Sequence, residues 1–223
     1  MELGCKGCNP LSFALKTMYL PSQFKSEDRQ LASSLMRAYP LASLISNDDD
    51  GHPFLTHLPL HLQEQGDNFV LLGHVARGNP HWRYLQARPR VLASFLGPHA
   101  YMSPIVYPDL QRVPTWNYLA VNCTAQASIM EGDQAKDALL KQLIADHEPA
   151  YAEQWRSLGE EFAHKMLAGI VAFELRVTDW QCKLKLNQHR PEAHAAMLET
   201  YANGNENERA LASWMTRMGL HGS

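Results

Sequence analysis

Two tight polar turns constrain this chain more than any other feature. Asp48-Asp49-Asp50-Gly51 separates the apolar run Leu41 to Ser46 from Pro53 to Leu62, and Gln65-Gly66-Asp67-Asn68 separates that run from Phe69 to Ala76. Connections this short join antiparallel neighbours, because a parallel return needs a crossover of roughly a dozen residues. Further strands are expected at Arg90 to Leu96, Trp116 to Met130 and Ile170 to Val177, with one short helix, Asn79 to about Ala87, inserted among them. Short strands, tight turns and a single inserted helix point to a small barrel and not to a βαβ sheet. The fold class expected is mainly β with helices, α+β.

The helical signals lie outside that strand series. Ser26-Glu27-Asp28 opens a helix with acidic first-turn residues, and the helix must stop before Pro40. From Asp133 to His147 the period becomes helical, with Ala138, Leu139, Leu143 and Ile144 on one face, and Tyr151 to Leu167 is a second amphipathic stretch. Pro191 to Met218 holds two short helices split at Asn203-Gly204-Asn205. The organisation expected is an N-terminal extension over 1–17, a barrel domain over 18–190 and a C-terminal helical segment over 191–223 packed on the barrel.

Composition narrows the surroundings. No apolar run reaches the roughly 18 residues that cross a bilayer, and Met1 to Thr17 lacks an apolar core followed by a cleavage site. A cytoplasmic protein with no membrane partner is the expectation. The net charge of −3 argues against bulk DNA binding, which relies on clustered Lys and Arg, although a local basic patch is left open. The helices after Arg190 carry Arg209 and Arg217 against four glutamates between Glu192 and Glu208, and no helix-turn-helix is recognisable. Cys5-Lys6-Gly7-Cys8 could be a redox pair or half a zinc site, but no second ligand pair accompanies it, and no metal site is expected. Cys123 and Cys182 lie in apolar strands and read as reduced core residues.

Chemistry concentrates where Gly73-His74-Val75-Ala76-Arg77-Gly78-Asn79-Pro80-His81-Trp82 carries a strand into a helix. Asn79 suits the N-cap and Pro80 the first helical position, while Arg77 sets a cation beside the new helix, so the joint could seat a phosphate. Gly97-Pro98-His99-Ala100-Tyr101-Met102-Ser103-Pro104 and Tyr107-Pro108 read as an aromatic, proline-rich loop. Pro114-Thr115-Trp116-Asn117-Tyr118 begins the longest strand, and Lys183 to Arg190 brings three cations and two amides. A planar ligand wants stacking faces and amides, and a phosphate tail wants Arg and Lys. Each segment could equally be architectural: aromatics can plug a barrel end, and lysines can line a solvated strand.

Taken together with Met18-Tyr19-Leu20-Pro21, the strings at His74–Pro80, Gly97–Tyr101, Pro114–Tyr118 and Lys185–Gln188 resemble the PaiB family over nearly the whole chain. Its members are described as FMN-binding negative transcriptional regulators. The resemblance implies a flavin-reductase-like split β-barrel, similar to pyridoxamine-phosphate oxidases, with FMN at a homodimer interface. It implies flavin contacts from Thr56, His57 and Leu58, and ring and phosphate contacts from His74, Val75, Ala76, Arg77 and Asn79. The partner subunit would supply Trp116 and Asn117, with Lys185 reaching the phosphate and Gln188 beside it. The family's Lys-Leu-Ser-Gln-Asn string stands here as Lys185-Leu186-Asn187-Gln188-His189, which replaces a small hydroxyl by a bulkier amide. Two other readings stay open: an FMN-dependent oxidoreductase, with His74 and Tyr101 as possible proton donors, and a flavin-free interaction module.

Overall fold

The computed structural model describes residues 17–109 and 111–221. In chain order the strands are β1 (Lys25–Ser26), β2 (Leu41–Asn47), β3 (Pro53–Pro59), β4 (His61–Gln65), β5 (Asn68–Ala76), β6 (Arg90–Met102), β7 (Thr115–Met130) and β8 (Ile170–Lys185). The helices are α1 (Arg29–Ala38), α2 (His81–Ala87), α3 (Asp133–His147), α4 (Tyr151–Ser157), α5 (Glu160–Ala168), α6 (His194–Ala202) and α7 (Glu206–Arg217).

The strands pair antiparallel in the order β3-β2-β6-β7-β8-β5-β4, and β1 adds to β8. Strands β3 and β4 are the two ends of this order, yet only Leu60 separates them in the chain. The sheet must therefore roll until its edges meet, and the α+β barrel expected from the turns is what forms. Leu60 is buried at this seam and its N–H donates to Pro40 O. The interior is filled by inward residues of successive strands, among them Leu44, Leu71, Phe95, Val121, Phe173 and Leu175. Helix α1 lies across one mouth through Leu35 and Met36, and α7 packs against β6.

Several boundaries differ from the sequence reading. Pro53 to Leu62 is two strands, because Leu60 turns the chain from one sheet edge to the other. The loop expected from Gly97 to Met102 is strand: β6 passes through a bulge between Leu96 and His99. A bulge tolerates Pro98, which has no N–H to give a ladder. Likewise β8 does not stop at Val177, because Thr178 is accommodated as an extra residue opposite Thr124 and pairing resumes at Asp179. Asp28 lies outside α1 and caps it, accepting from the N–H groups of Gln30 and Leu31. The stretch Tyr151 to Leu167 breaks into α4 and α5 at Leu158-Gly159. Cys123 and Cys182 are free and buried, and burial pushes both thiols up, Cys182 to about 12. Cys5 and Cys8 lie outside the described residues.

Candidate functional site

The end of β5 is fastened to the start of β8. Ala76 pairs with Ile170, and Arg77 N–H donates to Gly169 O at 2.8 Å. Asn79 N–H then closes a turn on Ala76 O, and Asn79 Oδ1 accepts from His81 N–H at 3.0 Å. The regular helix starts at His81 with Pro80 and not Asn79 at its N-cap, so the expected cap shifts by one residue and Asn79 instead closes a side-chain turn just before the helix. The Arg77 side chain is exposed and makes no salt bridge among the described residues. Its Nε donates to Ala168 O at 2.8 Å and Nη2 to Ile170 O at 3.4 Å. Two carbonyls hold the guanidinium in place while Nη1 stays free to receive an anion.

Strand β3 meets this corner through Thr56. Its Oγ1 accepts from Asn79 Nδ2 at 3.2 Å and lies 2.8 Å from His81 Nδ1. The hydroxyl donates to His81 Nδ1 or accepts from it according to the ring's tautomer, and the second ring nitrogen is Nε2. That nitrogen is buried with no protein partner, and the ring sits edge-on to Phe54. Burial lowers His81 to about 4 and also lowers the half-buried His74. The unfolded chain binds a proton at His81 near pH 6.5 that the folded chain refuses until about pH 4. Stability is thus complete above about pH 6.5 and falls as pH drops toward 4, by about 1–3 kcal/mol after allowing for solvent screening. Urea midpoints across this range should show the fall, and His81→Phe should flatten it; an equal fall in the variant would place its cause elsewhere.

The other residues around this corner offer different groups. His57 is exposed, with Nδ1 3.1 Å from Ser43 Oγ. Leu58 and Val75 point into the core, so only their backbone is offered to a ligand. As an end of the strand order, β3 leaves one row of backbone donors and acceptors unpaired by the sheet.

The remaining candidates lie at the far end of β8. Trp116 pairs with Tyr101, and its ring is 49% exposed, with Nε1 donating to His99 Nδ1 at 3.2 Å. Leu96 and Tyr101 flank it, 54% and 49% exposed, giving the barrel an outward apolar patch. Asn117 is fully buried: Nδ2 donates to Tyr201 OH at 3.1 Å, and Oδ1 has no protein partner. Lys185 Nζ donates to Thr115 Oγ1 and, at 2.7 Å, to Trp116 O. Gln188 folds onto its own strand end, accepting from Leu186 N–H and donating to Leu184 O. Asn187 has φ 62°, a left-handed conformation that Asn adopts more readily than Ser, which accounts for the amide at this position.

One chain does not bring the two groups together. His74 pairs with Ala172 and Tyr118 with Lys185, so roughly 40 Å of β8 separates them. Sequence reasoning missed His81, whose only signal is its place directly after the Asn79-Pro80 cap. It also missed Arg112, which lines a cavity with Lys185 and with Tyr107 of the aromatic, proline-rich segment.

The donor set at the Arg77 corner fits a flavin. A free guanidinium N–H pair suits its phosphate, while Thr56, Asn79 and the open edge of β3 suit the polar rim of its ring. Residues 18–179 match the family model described as "Putative FMN-binding domain". The chain is similar to "Protease synthase and sporulation protein PAI 2" of Bacillus subtilis (strain 168), 32% identical over 203 residues, which are 89% of this chain and 96% of that protein. Among solved structures it resembles the flavocytochrome Anf3 from Azotobacter vinelandii, with a TM-score of 0.56 and 16% identity over 74% of this chain and 70% of that one. It also resembles the FAD and heme binding protein from Mycobacterium smegmatis, with a TM-score of 0.52 and 23% identity over 73% and 74%. At these identities the structural likeness establishes the fold alone.

Proposed function

The chain belongs to the FMN-binding domain family, and from that membership we propose that it is a PaiB-like cytoplasmic regulator that binds FMN at the interface of a homodimer. The observation that carries the reading is the meeting of Thr56, Asn79 and His81 beside Arg77. Arg77 holds the phosphate, Thr56 and Asn79 hold the ring edge, and the backbone of His57, Leu58, Val75 and Ala76 borders it, with His74 alongside. When bound, FMN supplies one- or two-electron redox chemistry, and the protein supplies orientation and exclusion of water.

The separation along β8 supports a shared site. A twofold dimer whose interface joins the outward patch of Leu96, Tyr101 and Trp116 on each copy to the Arg77 corner of the other would complete each site from two chains. Regulation in this reading runs through the flavin and protein contacts and not through a DNA-reading helix. Helices α6 and α7 spend Met197, Tyr201, Leu211, Trp214 and Met215 on the core and turn Glu199 and Glu206 outward. Among the described residues no helix is long and apolar enough to cross a membrane.

Mixing variants tests the shared site. Arg77→Ala and Trp116→Ala should each weaken FMN binding alone. Unfolded and refolded together, they should restore about a quarter of the sites, because each mixed dimer carries one intact site and one doubly altered site. Each chain holding its own flavin would give no restoration, and that result would sink the shared site.

A further inference from the structure

Beyond the flavin corner, a cavity of about 370 Å³ opens between the segment leading into β7, the end of β8 and Phe24. Its walls include Tyr107, Arg112, Thr115, Asn117, Lys185 and Asn187. The cations here outnumber their counter-ions. Arg112 bonds Asp109 at 2.8 Å and approaches Glu192 at 3.6 Å, and Arg190 shares Glu192 at 3.9 Å. Lys185 donates only to a hydroxyl and a carbonyl, and Lys183 behind it only to Tyr19 O, with the Tyr118 ring 5.0 Å from Lys183 Nζ and 5.9 Å from Lys185 Nζ. Neither lysine has a salt bridge among the described residues, although Lys183 is 7% exposed. Two adjacent cations held partly out of water by neutral acceptors carry a desolvation cost that an anion would offset.

The cavity's hydrogen-bond inventory has the same sense. Lys185 uses two of its three ammonium donors. Tyr107 OH accepts from Asn187 Nδ2 at 2.9 Å and Thr115 Oγ1 accepts from Lys185, so both hydroxyl hydrogens remain to be given. Against these donors stands one unmatched acceptor, the buried Asn117 Oδ1.

We propose that this cavity binds the oxyanion, phosphate monoester or carboxylate, of a small molecule other than the flavin, with Lys185, Tyr107, Thr115 and Arg112 donating to it and Asn117 Oδ1 accepting from a donor on the same molecule. Lys185 thereby belongs to this cavity and not to the flavin phosphate. A volume of about 370 Å³ is at the small end of ligand cavities and suits a compact metabolite. Burial and the neighbouring Lys183 lower the proton affinity of Lys185, and a bound anion would restore it. Within one chain these residues lie at the opposite end of β8 from Arg77, and titration with and without FMN lets this proposal and the flavin reading fail separately.

The test is calorimetric titration of the full-length protein, FMN-free and FMN-saturated, with inorganic phosphate and with acetate. At least one anion should bind saturably, and the tighter of the two identifies the source as phosphate monoester or carboxylate. Lys185→Gln and Tyr107→Phe should each weaken that binding by about tenfold, while Arg77→Ala should leave it unchanged. Tyr107→Phe guards against a folding defect in Lys185→Gln, since it removes a single oxygen. Absence of saturation by either anion below about 100 mM, or equal affinity in both cavity variants, would overturn the proposal. FMN displacing the anion, with Lys185→Gln losing FMN, would also overturn it, by giving the cavity to the flavin phosphate. Loss of FMN binding with anion binding intact would instead remove the flavin seat and leave this one.

Discussion

Arg77→Ala is expected to weaken FMN binding by about 1.5–3 kcal/mol, a roughly 10- to 150-fold rise in Kd. The expectation rests on how the side chain is held. Nε and Nη2 are spent on Ala168 O and Ile170 O, so the guanidinium is fixed before any ligand arrives. A preorganised charge loses little rotamer entropy on binding and gives most of its interaction energy to the ligand. No salt bridge from Arg77 to a carboxylate competes for it among the described residues. Because the side chain is exposed, its removal should cost the fold only a few tenths of a kcal/mol. Quenching of FMN fluorescence on titration with protein measures the affinity directly. A Kd within about twofold of the parent would take Arg77 out of the site.

The largest effect on stability is expected from Phe173→Ala, at about 3–5 kcal/mol. Phe173 has no exposed surface and lies at the middle of the sheet, paired with Gly73 on β5 and Ile129 on β7. Gly73 is bare for this ring: a Cβ there would lie 3.1 Å from Phe173 Cζ and 2.6 Å from Leu60 Cδ2. Leu60 is the seam where β3 passes into β4, so the ring supports the contact that closes the barrel. Neighbouring strands cannot collapse into the space without losing register, so a cavity should persist. Urea unfolding at pH 7 measures the loss. A drop under about 1 kcal/mol would mean that the closure does not depend on this ring.

The sequence made the barrel legible because its information is local. The turns at Asp48–Gly51 and Gln65–Asn68 dictate the antiparallel pairs β2-β3 and β4-β5, while the rest of the strand order rests on long-range pairing. Bulges were not legible, since Gly97-Pro98 and Thr178-Asp179 carry the same composition as loops, and only a partner strand reveals that pairing resumes. The seam at Leu60 was hidden for the same reason: an apolar residue between two apolar runs gives no sign that the chain changes edge. At the site, Arg77 and Asn79 stood out by segment chemistry and Thr56 only through the family resemblance, and the structure brings the three to one corner. The segments of Lys185, Asn117 and Tyr107 were singled out too, but Arg112 carries no signal in the sequence, and the cavity these residues share exists only once β7 and β8 pair. The buried His81 could not be told from a solvated one, because burial is a property of packing and not of its immediate neighbours.

The central claim is that this barrel holds a flavin, and the visible absorption of the purified protein, before and after incubation with FMN and removal of the excess, tests it most directly. Flavin bands at about 375 and 450 nm, at about one FMN per chain, are the expected result. A protein that stays colourless after incubation would contradict it.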